Sequence, residues 1–252
     1  MKPGRLPRIE TLFSDDDFVA VSKPAGFSTV SERWDKDKKC LIDLLWDEWK
    51  KKDPEAPKPH VVHRLDKETT GVILFARNGQ AQSSLRKQFM DRTTSKVYLA
   101  LVEGFPEPAE AELTFHVEEN PSRPGSMRIR KQGKECQSSY SLLESYDQHS
   151  WVEVRPLTGR THQVRLTMSQ AGSPCSCDPI YGSGKPVLLS DYKRSYSPGR
   201  GKQERPLLSR LGLHAFQLTI SHPTTGESMT IESPLPKDLR TSLRQIKRWS
   251  KR

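Results

Sequence analysis

Residues 63–76 read HRLDKETTGVILFA, and the two halves of that stretch ask for different environments. Gly71 through Ala76 is continuously apolar, the pattern of a central strand covered on both faces. The preceding residues are charged and end in Thr69-Thr70-Gly71, a turn that feeds the strand. Asp66 therefore stands at the mouth of a buried strand. An arbitrary Asp there closes an Asx turn, whereas a carboxylate partly removed from water calls for a cationic partner.

Both flanks of this stretch are patterned. Upstream, Phe18, Ala20 and Ser22 alternate with Val19, Val21 and Lys23, which predicts a strand over 17–23 closed by Pro24-Ala25-Gly26. Leu41, Leu44, Leu45 and Trp49 recur at helical spacing, predicting a helix over 41–52 with Trp46 and Trp49 in the core. Downstream, Asn78 can cap a helix carrying Ala81, Leu85 and Phe89 on one side. A strand over 96–102 places Val97, Leu99 and Leu101 on one face and Tyr98 and Ala100 on the other. Short apolar runs over 111–156 read as an antiparallel meander. Thr161 is placed to cap a helix reaching Ala171, stopped by Gly172. Residues 213–221 and 228–232 form an expected hairpin.

A chain of 252 residues suits one large domain or two small ones. The 41 Lys and Arg residues exceed the 31 Asp and Glu by 10, and the pI near 9.5 points to a polyanionic partner. Apolar runs such as 72–76 and 97–102 are far too short to span a bilayer, and residues 1–13 lack the apolar core of a secretory signal. A cytoplasmic protein is expected. Cys40, Cys136, Cys175 and Cys177 are too sparse for a disulfide framework and read as reduced thiols. The polar excess, with a mean hydropathy of −0.73, collects in two places. Residues 182–212 hold Lys185, Lys193, Arg194, Arg200, Lys202, Arg205 and Arg210 with Tyr192 and Tyr196 interleaved, a long loop suited to a phosphate backbone. Residues 235–252 alternate Leu235, Leu239, Leu243 and Ile246 with Arg240, Arg244, Lys247 and Arg248, a docked helix whose cationic outer face reads equally well as a solvated surface.

Candidate chemistry is sparse. His60 and His63 have no third ligand at metal-binding spacing, and no glycine-rich phosphate cradle, serine elbow or zinc-deaminase motif is present. That leaves Asp66 among cations. On the helix after Thr161, His162, Arg165 and Ser169 share one side and Val164, Met168 and Ala171 the other, so the polar side faces water or a site. Tyr98 has only Ala100 as its same-face neighbour two residues on, which leaves room for a flat ring beside the phenol.

In order, His63-Arg64-Leu65-Asp66-Lys67-Glu68-Thr69-Thr70-Gly71, Lys96-Val97-Tyr98-Leu99-Ala100, Thr158 through Arg165 (TGRTHQVR), Asp178-Pro179-Ile180-Tyr181-Gly182, and Leu213-His214-Ala215 with His222-Pro223-Thr224-Thr225-Gly226 resemble the RluA family of pseudouridine synthases. The resemblance runs from about Pro7 to about Pro234. It implies an α+β fold with a mixed, mostly antiparallel central sheet flanked by helices and a central cleft. It also implies isomerisation of a uridine in tRNA or rRNA to pseudouridine by base flipping, without cofactor or metal. By the same resemblance Asp66 is the essential nucleophile, Tyr98 stacks beside the target base, and Arg165 is the ion-pair partner of Asp66. Arg64 matches the arginine that enters the RNA stack as the base leaves. His63, Arg160, His162, Lys193, Arg194, Arg200 and Lys202 are the further residues expected to meet RNA.

On this reading residues 1–252 are one catalytic domain acting as a monomer, with 182–212 a basic loop insertion and 235–252 a basic helix. The chain looks like the short members of the family, without the small RNA-binding module that precedes the catalytic region in many relatives. Thr167 stands where the family often has His, and Gly172-Ser173-Pro174-Cys175-Ser176-Cys177 replaces a more usual Gly-His-Pro-Leu-Leu-Gly, positions expected to shape the cleft wall. The rivals from other classes are a noncatalytic RNA-binding or RNA-chaperone protein, and a metal-dependent nuclease that lacks ligands in the sequence.

Overall fold

The computed structural model describes residues 9–31, 39–199 and 201–251. In chain order its elements are β1 (Glu10–Ser14), β2 (Phe18–Lys23), α1 (Leu41–Lys50), β3 (His60–Val61), β4 (Thr70–Ala76), α2 (Gly79–Met90), β5 (Ser95–Glu103), β6 (Glu110–Glu119), β7 (Met127–Ile129), β8 (Lys134–Ser145), β9 (His149–Pro156), α3 (Gln163–Gln170), β10 (Leu213–Ser221), β11 (Ser228–Glu232) and α4 (Lys237–Trp249). The polypeptide, read above as one domain, groups into two compact units: residues 1–95 with Ala215–Pro234, and Lys96–His214 with Leu235–Arg252. Arg200, expected to meet RNA, lies outside the described residues, as does the stretch 1–8.

In the first unit the apolar run at 71–76 becomes β4, whose residues are all buried. Its sheet order is β1-β2-β4-β10, with β3 also on β4 and β11 on β10. β2 runs antiparallel to β4, from Phe18 opposite Ala76 to Lys23 opposite Gly71. The expected hairpin forms as β10 and β11, with Ser221 opposite Ser228. Asn78 caps α2 as its type predicts, its Oδ1 accepting the Ala81 N–H at 2.8 Å. α1 buries Leu41, Ile42, Leu44 and Leu45. Trp46 and Trp49 are half-buried rather than core. Lys50 lies 4.0 Å from the Trp46 ring centre and Arg77 4.4 Å from that of Trp49, so the indoles cover apolar surface while meeting cations.

The second unit holds the antiparallel order β5-β9-β8-β6-β7. A meander would have kept β7 between β6 and β8. Instead β8 returns directly beside β6, because the turn before it brings Gly133 against β6, where a Cβ would sit 2.4 Å from the Val117 carbonyl oxygen. Over this sheet α3 supplies Val164 and Met168 to a core with Ala100, Val102, Tyr140, Val152 and Val154. Gly172 follows the helix end, as expected. The N-cap differs: it is His162, at φ 57°, and not Thr161. The Gln163 side chain organises this corner, its Oε1 accepting from the Arg160 N–H at 2.9 Å and the Thr158 hydroxyl at 2.7 Å.

All four cysteines are free and buried. Thr167, Ser173, Cys175, Ser176 and Cys177 are buried inside the second unit, Cys175 within its core cluster. Their side chains pack an interior, while Gly172 is exposed and Pro174 half-buried. Tyr192, read as interleaved with the loop's cations, is also interior, its hydroxyl bonded to His149 Nδ1. Among the described residues no helix is long and apolar enough to cross a membrane.

Candidate active site

The turn carrying Asp66 is fastened residue by residue. The Thr29 hydroxyl donates to the Leu65 carbonyl at 3.2 Å and accepts the Leu65 N–H at 3.3 Å, satisfying both backbone groups of one residue. The Asp66 carbonyl accepts the Thr69 N–H at 3.1 Å. Gly26 donates its N–H to the Lys67 carbonyl at 2.9 Å, which gives the Pro24-Ala25-Gly26 turn its purpose. Beneath all of this lies Lys23, only 1% exposed. Its ammonium donates to the carbonyls of Pro24 at 3.0 Å, Lys67 at 2.8 Å and Thr69 at 2.8 Å. A lysine has three donors, so these bonds use its whole capacity. Burying that cation is tolerable because every proton has an oxygen.

Gly71 ends the turn at φ +120°, and a Cβ there would fall 2.1 Å from the Ala215 carbonyl oxygen of the neighbouring β10. Only glycine fits both the dihedral and the close approach. On this frame the Asp66 side chain is half-buried and Arg64 is exposed. His63 has a different task from its neighbour. Its Nε2 accepts the Leu74 N–H at 3.0 Å and its ring stacks on Phe89 with centres 4.5 Å apart, tying the turn to β4 and α2.

The second unit places Tyr98, Arg160, His162 and Arg165. Tyr98, opposite Val154 on β5, is half-buried and packs against the core cluster under α3. The Arg165 side chain is 7% exposed, so the polar side of α3 faces protein and not water. Its Nε and Nη2 each donate at 2.7 Å to Asp178, a bidentate pair with a carboxylate that is fully buried. Burial pushes the Asp178 carboxyl upward, but Arg165 together with the N–H groups of Ile180 and Tyr181 wins and holds it below the usual carboxylate range. The Tyr181 ring lies 4.9 Å from the Arg165 guanidinium carbon. The Tyr181 hydroxyl accepts the Met127 N–H at 2.7 Å and shares a 2.9 Å bond with His162 Nδ1. Thus His162 and Arg165, expected on one side of the helix, both meet Tyr181.

Arg160 donates from Nε to the Glu135 carbonyl at 3.0 Å. Arg194 and Lys202 are exposed on the 182–212 loop, and Lys193 lies 4.4 Å from the Trp249 ring centre. Arg210, counted above with the loop's cations, is committed to Asp238 through bonds of 2.7 and 2.8 Å. Asp178, Tyr181 and Lys23 are the residues that sequence reasoning left without a role. The motif at 178–182 and the lysine before the Pro24 turn were the available signals.

The sequence profile of the family described as RNA pseudouridylate synthase matches residues 17–170, a segment that contains Asp66, Tyr98 and Arg165. The dual-specificity RNA pseudouridine synthase RluA of Escherichia coli K12 is 32% identical over 234 residues, covering 92% of this chain and 95% of that protein. Ribosomal large subunit pseudouridine synthase D of Neisseria meningitidis serogroup B is 32% identical over 235 residues. Those residues are 92% of this chain, which spans 59% of that relative's length. Among solved structures, human RNA pseudouridylate synthase domain containing 1 superposes with a TM-score of 0.67 at 28% identity, over 94% of this chain and 87% of that one. Human RNA pseudouridylate synthase domain containing 4 shares the fold, with a TM-score of 0.69 at 22% identity over 94% and 93% of the two chains. The α+β architecture expected from the resemblance is therefore the one observed. A profile covering more than half of the chain and a relative matched along nearly its whole length lead to one assignment: this chain belongs to the RNA pseudouridylate synthase family.

Proposed function

We propose that this protein isomerises a uridine in tRNA or rRNA to pseudouridine, with Asp66 as the essential carboxylate. The observation that carries the reading is the Asp66 turn, whose backbone is fixed at Leu65, Lys67 and Thr69 by buried donors within the segment that matches the family. Such a turn delivers one carboxylate with little freedom, which is what attack at a single carbon requires.

Moving the ribose from N1 to C5 of uracil breaks one glycosidic bond and forms another. Either Asp66 attacks C1′ and displaces uracil, or it removes a sugar proton and opens an elimination route. In both, the departing uracil keeps the electron pair of the N1–C1′ bond on its own carbonyl oxygens, turns, and rejoins through C5. On the first route the C1′–Asp66 bond breaks as C5 bonds C1′; on the second Asp66 returns its proton to the sugar as that bond forms. On both, C5 then loses its proton and N1 takes one up, so the composition is unchanged. The pyrimidine itself accepts the charge, so the reaction as proposed draws on no cofactor or metal.

Tyr98, half-buried on the rim of its core, offers the face on which uracil turns. Arg165 is the cation that the family resemblance assigns to the reacting carboxylate, and Asp178 fixes its orientation. Arg64 takes the place of the everted base, and Lys193, Arg194 and Lys202 meet phosphates, offsetting the few kcal/mol that unstacking costs. His63 serves as a positioning residue through Leu74 and Phe89. The enzyme acts as a cytoplasmic monomer.

The test is to incubate the protein with unmodified cellular RNA in the presence of a chelator and map pseudouridine. Asp66→Asn should lower formation by more than about 10³-fold while RNA binding and thermal stability stay at wild-type values. A wild-type protein that binds RNA but forms no pseudouridine would instead support a noncatalytic binder.

A further inference from the structure

α4 divides sharply by face. Leu239, Ser242 and Ile246 are fully buried, and Ser242 donates to the Leu207 carbonyl at 2.6 Å. Around the other side Arg240, Arg244 and Arg248 are exposed at steps of four residues, about 6 Å apart along the axis. That step is comparable with the separation of successive phosphates along a strand. Two nearby carboxylates are already engaged: Asp238 by Arg210, and Glu144 by Lys247 at 2.8 Å. Among the described residues no ion pair joins Arg240, Arg244 or Arg248 to an acid.

The stripe does not end with the helix. At its last residue the Trp249 ring lies 5.2 Å from the Arg248 guanidinium carbon and 4.4 Å from the Lys193 ammonium. The Arg210–Asp238 pair and the Ser242–Leu207 bond fasten the 182–212 loop to the same helix. We infer that the outer face of α4, joined through Trp249 to Lys193 and Arg194, is a sequence-independent docking surface for the phosphate backbone of structured RNA. It rests on the proposed function in that RNA is the substrate, but it assigns α4 to affinity and leaves the chemistry to the Asp66 turn. A basic helix can also lie on an anionic membrane, which requires an apolar face to insert. Here that face is spent inside the protein, so RNA is favoured.

The experiment measures binding of a labelled 24-base-pair RNA duplex of arbitrary sequence against salt concentration, with pseudouridine formation assayed separately on unmodified tRNA and rRNA transcripts. The variant Arg240→Gln/Arg244→Gln/Arg248→Gln should bind about tenfold more weakly and reduce the slope of log affinity against log salt by about 2, with an unchanged melting temperature. Lys247→Gln, whose charge is already paired, should leave the slope close to wild type. A triple variant with the wild-type slope overturns the inference, as does a loss confined to phosphatidylserine vesicles with duplex binding intact. Because duplex binding needs no turnover, an inactive wild-type protein would sink the proposed function and leave this surface to be judged on its own result.

Discussion

The turn that presents Asp66 is fastened by neutral carbonyls gathered around a buried cation, Lys23, whereas Arg165 is fastened by a buried anion, Asp178. In the first case the charge stays beneath the backbone and shapes it. In the second the charge belongs to the side chain that is being held. The difference predicts different failures. Removing Lys23 frees a loop, while removing Asp178 takes a bidentate anion from a guanidinium that has only 7% of its side chain in water.

The largest effect should follow Asp178→Ala. Breaking one partner of a buried pair costs about 3–5 kcal/mol, because the remaining charge loses the anion it is paired with. Asp178→Asn keeps an oxygen for the Ile180 and Tyr181 N–H groups but not the charge. Adding Arg165→Met to it should therefore recover part of the lost stability while pseudouridine formation stays abolished. Denaturant melts of the two single variants and the double variant check this. A double variant no more stable than Asp178→Asn would mean that the ion pair is not what the site depends on. The sign with pH follows from the Asp178 carboxyl being held below its ordinary value. The unfolded chain takes up that proton first, so the stabilisation is complete above about pH 4 and is lost as acid titrates the folded carboxylate. Asp178→Asn should flatten that acid limb.

Next in size is Lys23→Met, which preserves bulk but leaves three carbonyls without their shared donor. At about 1–3 kcal/mol for an unsatisfied buried group, with some carbonyls finding water, a loss of about 2–4 kcal/mol is expected. The sharper reading is kinetic. A loosened turn should lower kcat with little change in KM, because Lys23 touches the Asp66 backbone frame and not the RNA. A rise in KM at constant kcat would assign Lys23 to substrate binding and erase the contrast with Asp178.

The two regions also differ in how far the sequence disclosed them. The strand at β4, the Asn78 cap and the hairpin of β10 and β11 were legible because each is specified by adjacent residues obeying one period or one cap rule. Asp66 was legible for the same reason, standing at the junction of a turn and an apolar run. The partners were not. Asp178 is 13 residues beyond Arg165, past a helix end and a buried Ser-Pro-Cys stretch, and no local pattern announces that two charges meet. Lys23 read as the polar end of an alternating strand, yet it is nearly without exposure, because the carbonyls that satisfy it come from residues 67 and 69. Thr161 lost the cap position to His162 for a like reason: the Gln163 side chain bonds β8 through Gln137 and Ser138, and that tertiary tie overrides a local preference. The tryptophans of α1 erred toward the surface since nearby cations can cover an indole as well as a core can.

The smallest effect tests how the loop end of the second unit responds to mild acid. His149 is buried against Tyr192, and burial pushes its imidazole below the ordinary histidine value although Asp191 and Glu103 pull the other way. Burial also drives the Tyr192 phenol upward, so neither ring is charged at neutral pH and their bond is neutral. The unfolded chain binds the histidine proton more readily, so this contact supports folding above about pH 6.5 and loses that support as pH falls below it. Between pH 7 and 5.5 the wild-type protein should lose about 2–4 °C of melting temperature that His149→Asn, with an acceptor near the Nδ1 position and no proton to take up, does not lose. Since Tyr192 precedes Lys193, the same acidification should loosen the loop end at Trp249. A fluorescence titration of that indole in a variant lacking Trp34, Trp46, Trp49 and Trp151 would follow it, and an identical pH profile in His149→Asn would dissociate the buried pair from the basic surface it underlies.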